Sequence, residues 1–480
     1  MISYKISNKI YLQKSFYKGF LLVFLLITAC KKPLFLGEDY IEPKIETSES
    51  WQNNSLNIQE NSTNKAINKK WWEDFQDSQL NQIIELALKD NHGLNIARSR
   101  ILESRANVKF KKSELMPKVD ATATASRSNN NFNPINPNNH PVFNFFRTGF
   151  DASWELDFFG GNYSQKKASE FLFFANQEQE KLATKSLIAE IAKNYLELRF
   201  LQNELIVNQS LKDIYQENLD LNKAKNRSGF VDEITLKNLE NDILDSESQI
   251  VDLEAQIQSK IYNIEVLAGQ KIGHLAQDLK QFKSMPKIDN NIFVDLPAEI
   301  IANRPDVNIA SHEFMATIAN KNFAVSQIFP KISIAAFFGF LNTETGNLLK
   351  PNSQVFSTSA GVNLPILHFG KLKAGIKIAD AQKEQALIKF EETINKAIFD
   401  IESAFLNYNN KCKQKDIAND LLQNNHNIVE FQQKKYNAGL ISYLGLNESK
   451  IQDLQSLLSF LQKELDENLA MISVLKSLAI

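Results

Sequence analysis

The feature that most constrains this chain is that it is written twice. Residues 94–122 lie on residues 307–335 at a constant shift of 213, without a gap and with nine identities in 29 positions. Among them are Asn95/Asn308, Ala106/Ala319, Phe110/Phe323, Ser113/Ser326, Pro117/Pro330 and Lys118/Lys331. Farther on, at a shift of 210, Gly160 meets Gly370, Lys225 meets Lys435 and Gly229 meets Gly439. A drift of only three residues means that one structural unit occurs twice, at about 67–270 and 296–480, with a connector at 271–295. The 480 residues are therefore not three average domains of about 150 residues each.

Both halves follow the same internal order. A helical stretch comes first, at about 78–114 and 297–327, and Pro117 and Pro330 stop it. Period-two alternation follows in 118–126 (KVDATATAS), and 331–341 (KISIAAFFGFL) is strongly apolar. Two further strands are expected at 147–159 and 354–367. The loop 128–140 holds seven asparagines and two prolines, which marks a polar exposed turn. Strands of this length cross a membrane when tilted. Four of them cannot close a barrel, and an open edge in lipid leaves unpaired backbone groups costing several kcal/mol each. The strands are thus either soluble or share one barrel with other chains.

Beyond the strands the period becomes helical. Ile188, Ile191, Tyr195 and Leu198 step 3-4-3, and Ile398, Ile401, Phe405 and Tyr408 repeat the pattern at shift 210. Short breaks at 227–232 and 437–442 each hold one of the paired glycines, Gly229 and Gly439. After them come heptads, Leu236-Leu239-Ile243-Ser246-Ile250-Leu253-Ile257 and Ile451-Leu454-Leu458-Leu461-Leu465-Asn468-Ile472-Leu475, the pattern of coiled-coil packing. A helix over 164–226 would be ~95 Å long, so a rod or tube is expected. Gly and Pro total only 28 residues (16 + 12), which suits long unbroken helices.

The N-terminus reads as an export signal. Residues 1–29 carry four lysines and no acid, and Phe20 to Ile27 is an apolar run of eight, far short of the ~20 needed for a spanning helix. The run Ile27-Thr28-Ala29-Cys30 resembles the bacterial lipobox, which predicts a lipoprotein signal peptide over 1–29 and a covalent lipid on Cys30. Two or three acyl chains anchor stably where one does not. Residues 30–66 then form a lipid-anchored extended segment. The resemblance to lipoproteins, with Lys31 after the cysteine, points to the outer membrane. The formal charge is −2, and removing the four leader lysines leaves −6, so there is no basic excess for nucleic acid.

Catalytic chemistry is not indicated. The chain has no GxGxxG, P-loop, HExxH or GxSxG. Its six histidines stand apart, with no spacing to hold a metal. Two cysteines make no disulfide framework, and Cys412 falls on an apolar helical stripe as a small hydrophobe. Trp71, Trp72 and Trp154 read as packing or membrane-interface residues rather than a stacking platform. No enzyme, metal site or non-covalent cofactor is expected.

A set of motifs, in order and in a duplicated frame, resembles the TolC-like outer membrane efflux proteins, most closely the lipidated OprM-like branch. These are Asp39-Tyr40-Ile41-Glu42-Pro43, Trp72-Glu73-Asp74-Phe75, Ala152 through Gly160 (ASWELDFFG), Leu296-Pro297 with Asn303-Arg304-Pro305-Asp306-Val307, Phe329-Pro330-Lys331-Ile332-Ser333, and Leu364-Pro365-Ile366-Leu367 with Phe369-Gly370. The resemblance implies a mostly α chain with a small β part. Its coiled-coil hairpins would form a periplasmic tunnel, and its four strands would join a trimeric, twelve-stranded outer-membrane barrel. It implies a passive exit duct for multidrug or other export, working with a periplasmic adaptor and an inner-membrane pump. The glycine breaks become periplasmic tips, where an iris closes. Glu448 matches a family position that often carries an aspartate of the constricting ring, and Asp232 and Glu233 are further gate candidates. The alternatives are a lipid-anchored coiled-coil spacer or the adaptor itself.

Overall fold

The computed structural model describes residues 37–41, 51, 59–60, 70–129, 142–286, 293–294 and 297–478. Cys30, its leader and most of the asparagine-rich loop lie outside the described residues.

The first half runs β1 (Gln59–Glu60), a 3-10 turn at Trp71–Phe75, α1 (Ser78–Asp90), α2 (His92–Ser113), β2 (Lys118–Asn129), β3 (Val142–Leu156), α3 (Gly161–Arg227), α4 (Glu233–Leu267) and α5 (Ala276–Lys280). The second runs β4 (Phe293–Val294), α6 (Pro297–Ala302), α7 (Pro305–Ser326), β5 (Lys331–Asn342), β6 (Gln354–Asn363), α8 (Lys371–Asn437) and α9 (Tyr443–Ser477). The long helices of the two halves match in length: α3 and α8 each have 67 residues, and α4 and α9 each have 35. At 1.5 Å per residue the long helices reach about 100 Å.

Several expected boundaries move, each for a local reason. The helical stretch 78–114 is two helices, because Asn91 turns extended and its side chain accepts from the Leu94 amide at 3.0 Å, capping α2. The same side chain donates to the Leu267 carbonyl at 2.8 Å. The stretch 297–327 likewise divides, because Pro305 opens α7 and a residue before proline disfavours helix. Strand β3 starts five residues earlier than expected and ends at Leu156, where the chain turns through Gly160 at φ 74°. Strand β6 stops at Asn363, before Pro365 and a reversal through Phe369 (φ 43°) and Gly370 (φ 85°).

The chain divides into two compact units. One comprises Leu102–Ala175 and Ser311–Lys389 with the short segment 37–41. Its sheet has the antiparallel order β2-β3-β5-β6. Its N-terminal segment is docked by side chains: Asn322 accepts from the Glu38 amide at 2.8 Å and donates back to the Glu38 carbonyl at 2.9 Å. The Glu38 carboxylate meets Lys321 (2.5 Å) and Lys383 (3.0 Å), and Lys321 also meets Asp380 (2.5 Å).

The other unit comprises Lys44–Ile101, Asn176–Ala310 and Phe390–Ile480. It holds the main apolar core, which buries Ile188, Ile191, Tyr195 and Leu198 of the first stripe and Ile401, Phe405 and Tyr408 of the second. Trp71 and Trp72 are buried in the same core, so the packing reading holds for them. A polar knot sits inside it. Fully buried Arg199 donates to Gln79 (2.5 Å), Gln202 (2.6 Å) and the Gln281 carbonyl (2.9 Å). The Tyr195 hydroxyl donates to Asp77 at 2.6 Å, and the other Asp77 oxygen caps α1. Burial, opposed by Arg199, raises the Tyr195 hydroxyl above its ordinary value. Cys412 is half-buried beside Tyr408, and burial pushes its thiol up to about 11, which leaves it unreactive at neutral pH.

Candidate functional site

The sheet has two unlike faces, because residues opposite one another in an antiparallel ladder share a side. One face carries Val119, Phe146, Phe150, Trp154, Leu156, Ile332, Ile334, Phe338, Phe340, Phe356 and Val362 with alanines between them. Phe150, Phe338, Phe356, Val119 and Val362 on this face are all exposed. On β5 the apolar band runs nine residues, 332–340, about 30 Å along the strand. Its loop end is bordered by Arg127, Asn129, Asn144, Asn342 and Gln354. At the other end the Trp154 indole donates to the Leu115 carbonyl at 3.0 Å. An apolar band with polar and aromatic borders is the pattern of a strand surface in lipid.

The opposite face is polar. It carries Lys118, Asp120, Thr122, Thr124 and Ser126 on β2 and Ser357, Ser359 and Asn363 on β6. Between them Arg147 pairs with Asp151 on β3 (Nη1 to Oδ2, 2.9 Å), and Thr122 donates to the same carboxylate at 2.5 Å. Phe337 is an apolar residue among them. Its ring covers the Gly149–Gly339 pair, and the Arg147 guanidinium lies 3.6 Å from the ring centroid. Both glycines are required, since a Cβ on either would stand 2.3–2.6 Å from the other strand's backbone. Toward the loop end, Phe143, Phe145 and Leu341 also lie on this face.

In the other unit the hairpin turns are built alike. Gly229 (φ 77°) and Gly439 (φ 74°) end α3 and α8 in the left-handed region, with open space where a Cβ would stand. Positive φ, not close approach, is what demands glycine here. In each turn two amides reach back into the last helical turn. Gly229 and Phe230 donate to the Asn226 and Lys225 carbonyls, and Gly439 and Leu440 donate to those of Tyr436 and Lys435. The next helix is capped by Asp232 in the first turn and by Ser442 in the second. Asp232 accepts from the Thr235 amide (2.9 Å) and hydroxyl (2.6 Å), which hold its carboxyl below the usual range. Glu233 and Glu448 are exposed in early turns of α4 and α9.

Beside Glu448 stands a connection that periodicity did not single out. The Tyr443 hydroxyl donates to Glu217 of α3 at 3.1 Å, and the Asn447 amide donates to Asn218 at 2.8 Å. Asn447 is fully buried and Asn218 nearly so. Lys450 lies over the Tyr443 ring at 5.2 Å. A sequence signal was present: Asn447 falls four residues before Ile451, on the same heptad stripe, where a buried polar residue fixes pairing.

A two-faced sheet with free edges and long coiled-coil hairpins defines a wall-forming subunit of a channel. The sequence profile of the outer membrane efflux protein family matches residues 83–270 and 296–476, and the chain belongs to that family. The family consists of passive outer-membrane channels, which are not enzymes and need no cofactor. They form trimers that work with an adaptor and an inner-membrane pump. The chain is similar to the solvent efflux pump outer membrane protein SrpC of Pseudomonas putida, with 24% identity over 84% of this chain and 86% of SrpC. It is also similar to the cation efflux system protein CusC of Escherichia coli K12, with 24% identity over 93% and 94% of the two chains. Its fold matches the crystal structure of the Campylobacter jejuni CmeC outer membrane channel at a TM-score of 0.83, with 22% identity over 93% and 94%. An outer-membrane location follows from the family, and the spacer and adaptor alternatives are set aside.

Proposed function

We propose that three copies of this chain close one twelve-stranded outer-membrane barrel and continue as a helical duct, forming the exit of a tripartite exporter. The observation that carries this is the four-stranded sheet with one apolar and one polar face and two edge strands, β2 and β6. Such a sheet in lipid must close, because unpaired edge groups cost several kcal/mol each. Threefold closure puts the apolar face outward and lines the lumen with serine, threonine and the Arg147–Asp151 pair.

The tips are read as the periplasmic gate. Tyr443–Glu217 and Asn447–Asn218 tie α9 to α3, so any movement of one hairpin past the other must break them. Glu448 and Glu233, exposed beside the turns, are the carboxylates available to a constricting ring, and Glu448 is the favoured one. Asp232 is committed to its cap and serves the turn first. A lipid on Cys30, read from the lipobox, would add an anchor at the membrane surface. Drugs, organic acids, siderophores and metal ions all suit a wall that does not select its cargo.

The test is the mass of the detergent-solubilised protein together with conductance in a planar bilayer. A trimer that conducts is expected, and a monomer without conductance refutes the reading. Labelling with radioactive palmitate tests the anchor separately: the wild type should incorporate label and Cys30→Ala should not.

A further inference from the structure

The duplication places an internal template beside an unmatched surface. Inside one copy, the second strand of the first repeat, β3, pairs with the first strand of the second repeat, β5. The edges β6 and β2 are the corresponding elements of the two repeats in the opposite order. The hairpins calibrate the correspondence. Lys118 pairs with Ser153 in the first hairpin and Lys331 with Asn363 in the second. First strands are thus related by 213 residues (331 − 118) and second strands by 210 (363 − 153).

We propose that β6 of one copy pairs with β2 of the next in the register obtained by moving the β3–β5 seam through these two shifts. The proposal rests on the trimeric reading and adds to it a residue-by-residue seam. Ser153↔Ala335 becomes Asn363 opposite Thr122 of the next copy, Gly149↔Gly339 becomes Ser359 opposite Ser126, and Phe146↔Asn342 becomes Phe356 opposite Asn129.

The side chains agree with this register, and the register fixes the stagger. The faces match: Val362, Ala360 and Phe356 continue the apolar side onto Ala123, Ala125 and Asn129, while Asn363, Ser359 and Ser357 continue the polar side onto Thr122, Ser126 and Ser128. A slip of one residue would turn the serines into lipid. The stagger is equal by construction. Within a copy, Lys118 leads through Ser153 to Ala335, the counterpart of Thr122, an advance of four residues per repeat. Across the seam, Lys331 leads through Asn363 to Thr122, again four residues. A two-residue slip keeps the faces but makes the six repeat-to-repeat steps of the barrel unequal, and a barrel ties strand tilt to that stagger.

The elbow below the strands supplies a second term. Phe159 stacks on Phe329 inside the copy, with centroids 4.9 Å and planes 18° apart. Their counterparts are Phe369, which is 92% exposed, and Met116, which is 54% exposed. The backbone elbow is the same in both repeats, with Gly160 at φ 74° and Gly370 at φ 85°. In the assembled ring Phe369 therefore covers Met116 of the next copy, a ring on a thioether. Lys371 stands where Gly161 lets Ser326 close in, so the elbow between copies is the more open of the two.

Disulfide trapping in the full chain tests the seam, in a Cys412→Ala background with Cys30 kept. The pairs Ser126→Cys with Ser359→Cys and Ser128→Cys with Ser357→Cys should give covalent trimers on oxidation. The offset pairs Ser128→Cys with Ser359→Cys and Thr124→Cys with Ser359→Cys should give at least tenfold less, and each single cysteine should give none. If one matched pair fails to fold, the other is read the same way. Preferred linkage at an offset pair, or no linkage in a protein whose detergent mass is that of a trimer, overturns the register alone. A monomeric mass overturns the trimeric reading and the seam with it.

Discussion

The Tyr443 hydroxyl donates to the Glu217 carboxylate across 3.1 Å, tying the first turn of α9 to α3. Next to it the buried Asn447–Asn218 bond, 2.8 Å long, ties the second turn. Tyr443→Phe keeps the ring and removes only the first tie, so a modest rise in resting conductance is expected. Asn447→Ala leaves Asn218 buried without its partner, a cost of about 1–3 kcal/mol, and should raise leak further. Resting conductance equal to wild type in the double variant would mean that these bonds do not hold the tip.

The glycine turns should respond to conformation rather than to volume. Gly229→Ala and Gly439→Ala each put a side chain at positive φ, a penalty of roughly 1–2 kcal/mol. Asparagine, which tolerates that region better, should cost less. Hydrogen exchange of the tip amides reads the effect, and equal protection in the alanine and asparagine variants would contradict the conformational account.

The sheet should discriminate sharply between two of its glycines. Gly339→Ala drives a Cβ to 2.3 Å from the Thr148 carbonyl and under the Phe337 ring, an overpacking cost of about 1–3 kcal/mol or more. Gly361→Ala meets nothing nearer than the Ser333 hydroxyl at 3.4 Å and should be tolerated. The temperature at which the assembled species dissociates should fall for the first variant only.

The docked N-terminal segment should loosen in acid. Its hydrogen bond and charge pairing with Lys321, aided by Lys383, hold the Glu38 carboxyl below its usual value despite some burial, and Lys321 does the same for Asp380. A depressed carboxyl stabilises the folded arrangement fully above the ordinary carboxylate range near 4.3. That contribution is lost as pH falls through the lower folded value. Protection of the amides at residues 37–41, taken relative to the intrinsic exchange rate at each pH, should therefore fall below about pH 4 and be steady from pH 5 to 7. Lys321→Ala should raise exchange even at neutral pH, and no change in that variant would remove the pairing as the cause.

Asp157 should matter to α3 in a way that has no second-repeat equivalent. Its carboxylate accepts from the Asn162 amide at 3.0 Å and the Tyr163 amide at 2.6 Å, while Leu367 stands at the corresponding place before α8. Asp157→Ala should cost about 1 kcal/mol, read as lower exchange protection at the start of α3 with that of α8 unchanged. Equal loss in both helices would count against local capping.

Repetition and periodicity carried much of the architecture. The shifts of 213 and 210 already contain the paired strands, the hairpin turns and the helix lengths, because a duplicated sequence must satisfy the same backbone twice. The stripe through Ile191, Tyr195 and Leu198 and its counterpart through Ile401, Phe405 and Tyr408 are buried as their spacing requires. The lipobox at Cys30 remains a sequence reading, since it precedes the described residues.

What periodicity could not decide depends on partners distant along the chain. The helix break at Asn91 is fixed by a bond to Leu267, 176 residues away. The cover over Gly149 comes from Phe337 on the neighbouring strand, and the ties at the tip join Glu217 and Asn218 to residues more than 220 positions later. Sequence alone determined that this chain is a doubled strand-pair and helical hairpin, because local spacing sets which face of each element is apolar. Only the tertiary structure decided the sheet order β2-β3-β5-β6 and hence which edges stay open, because strand neighbours are chosen by long-range pairing that no local pattern encodes.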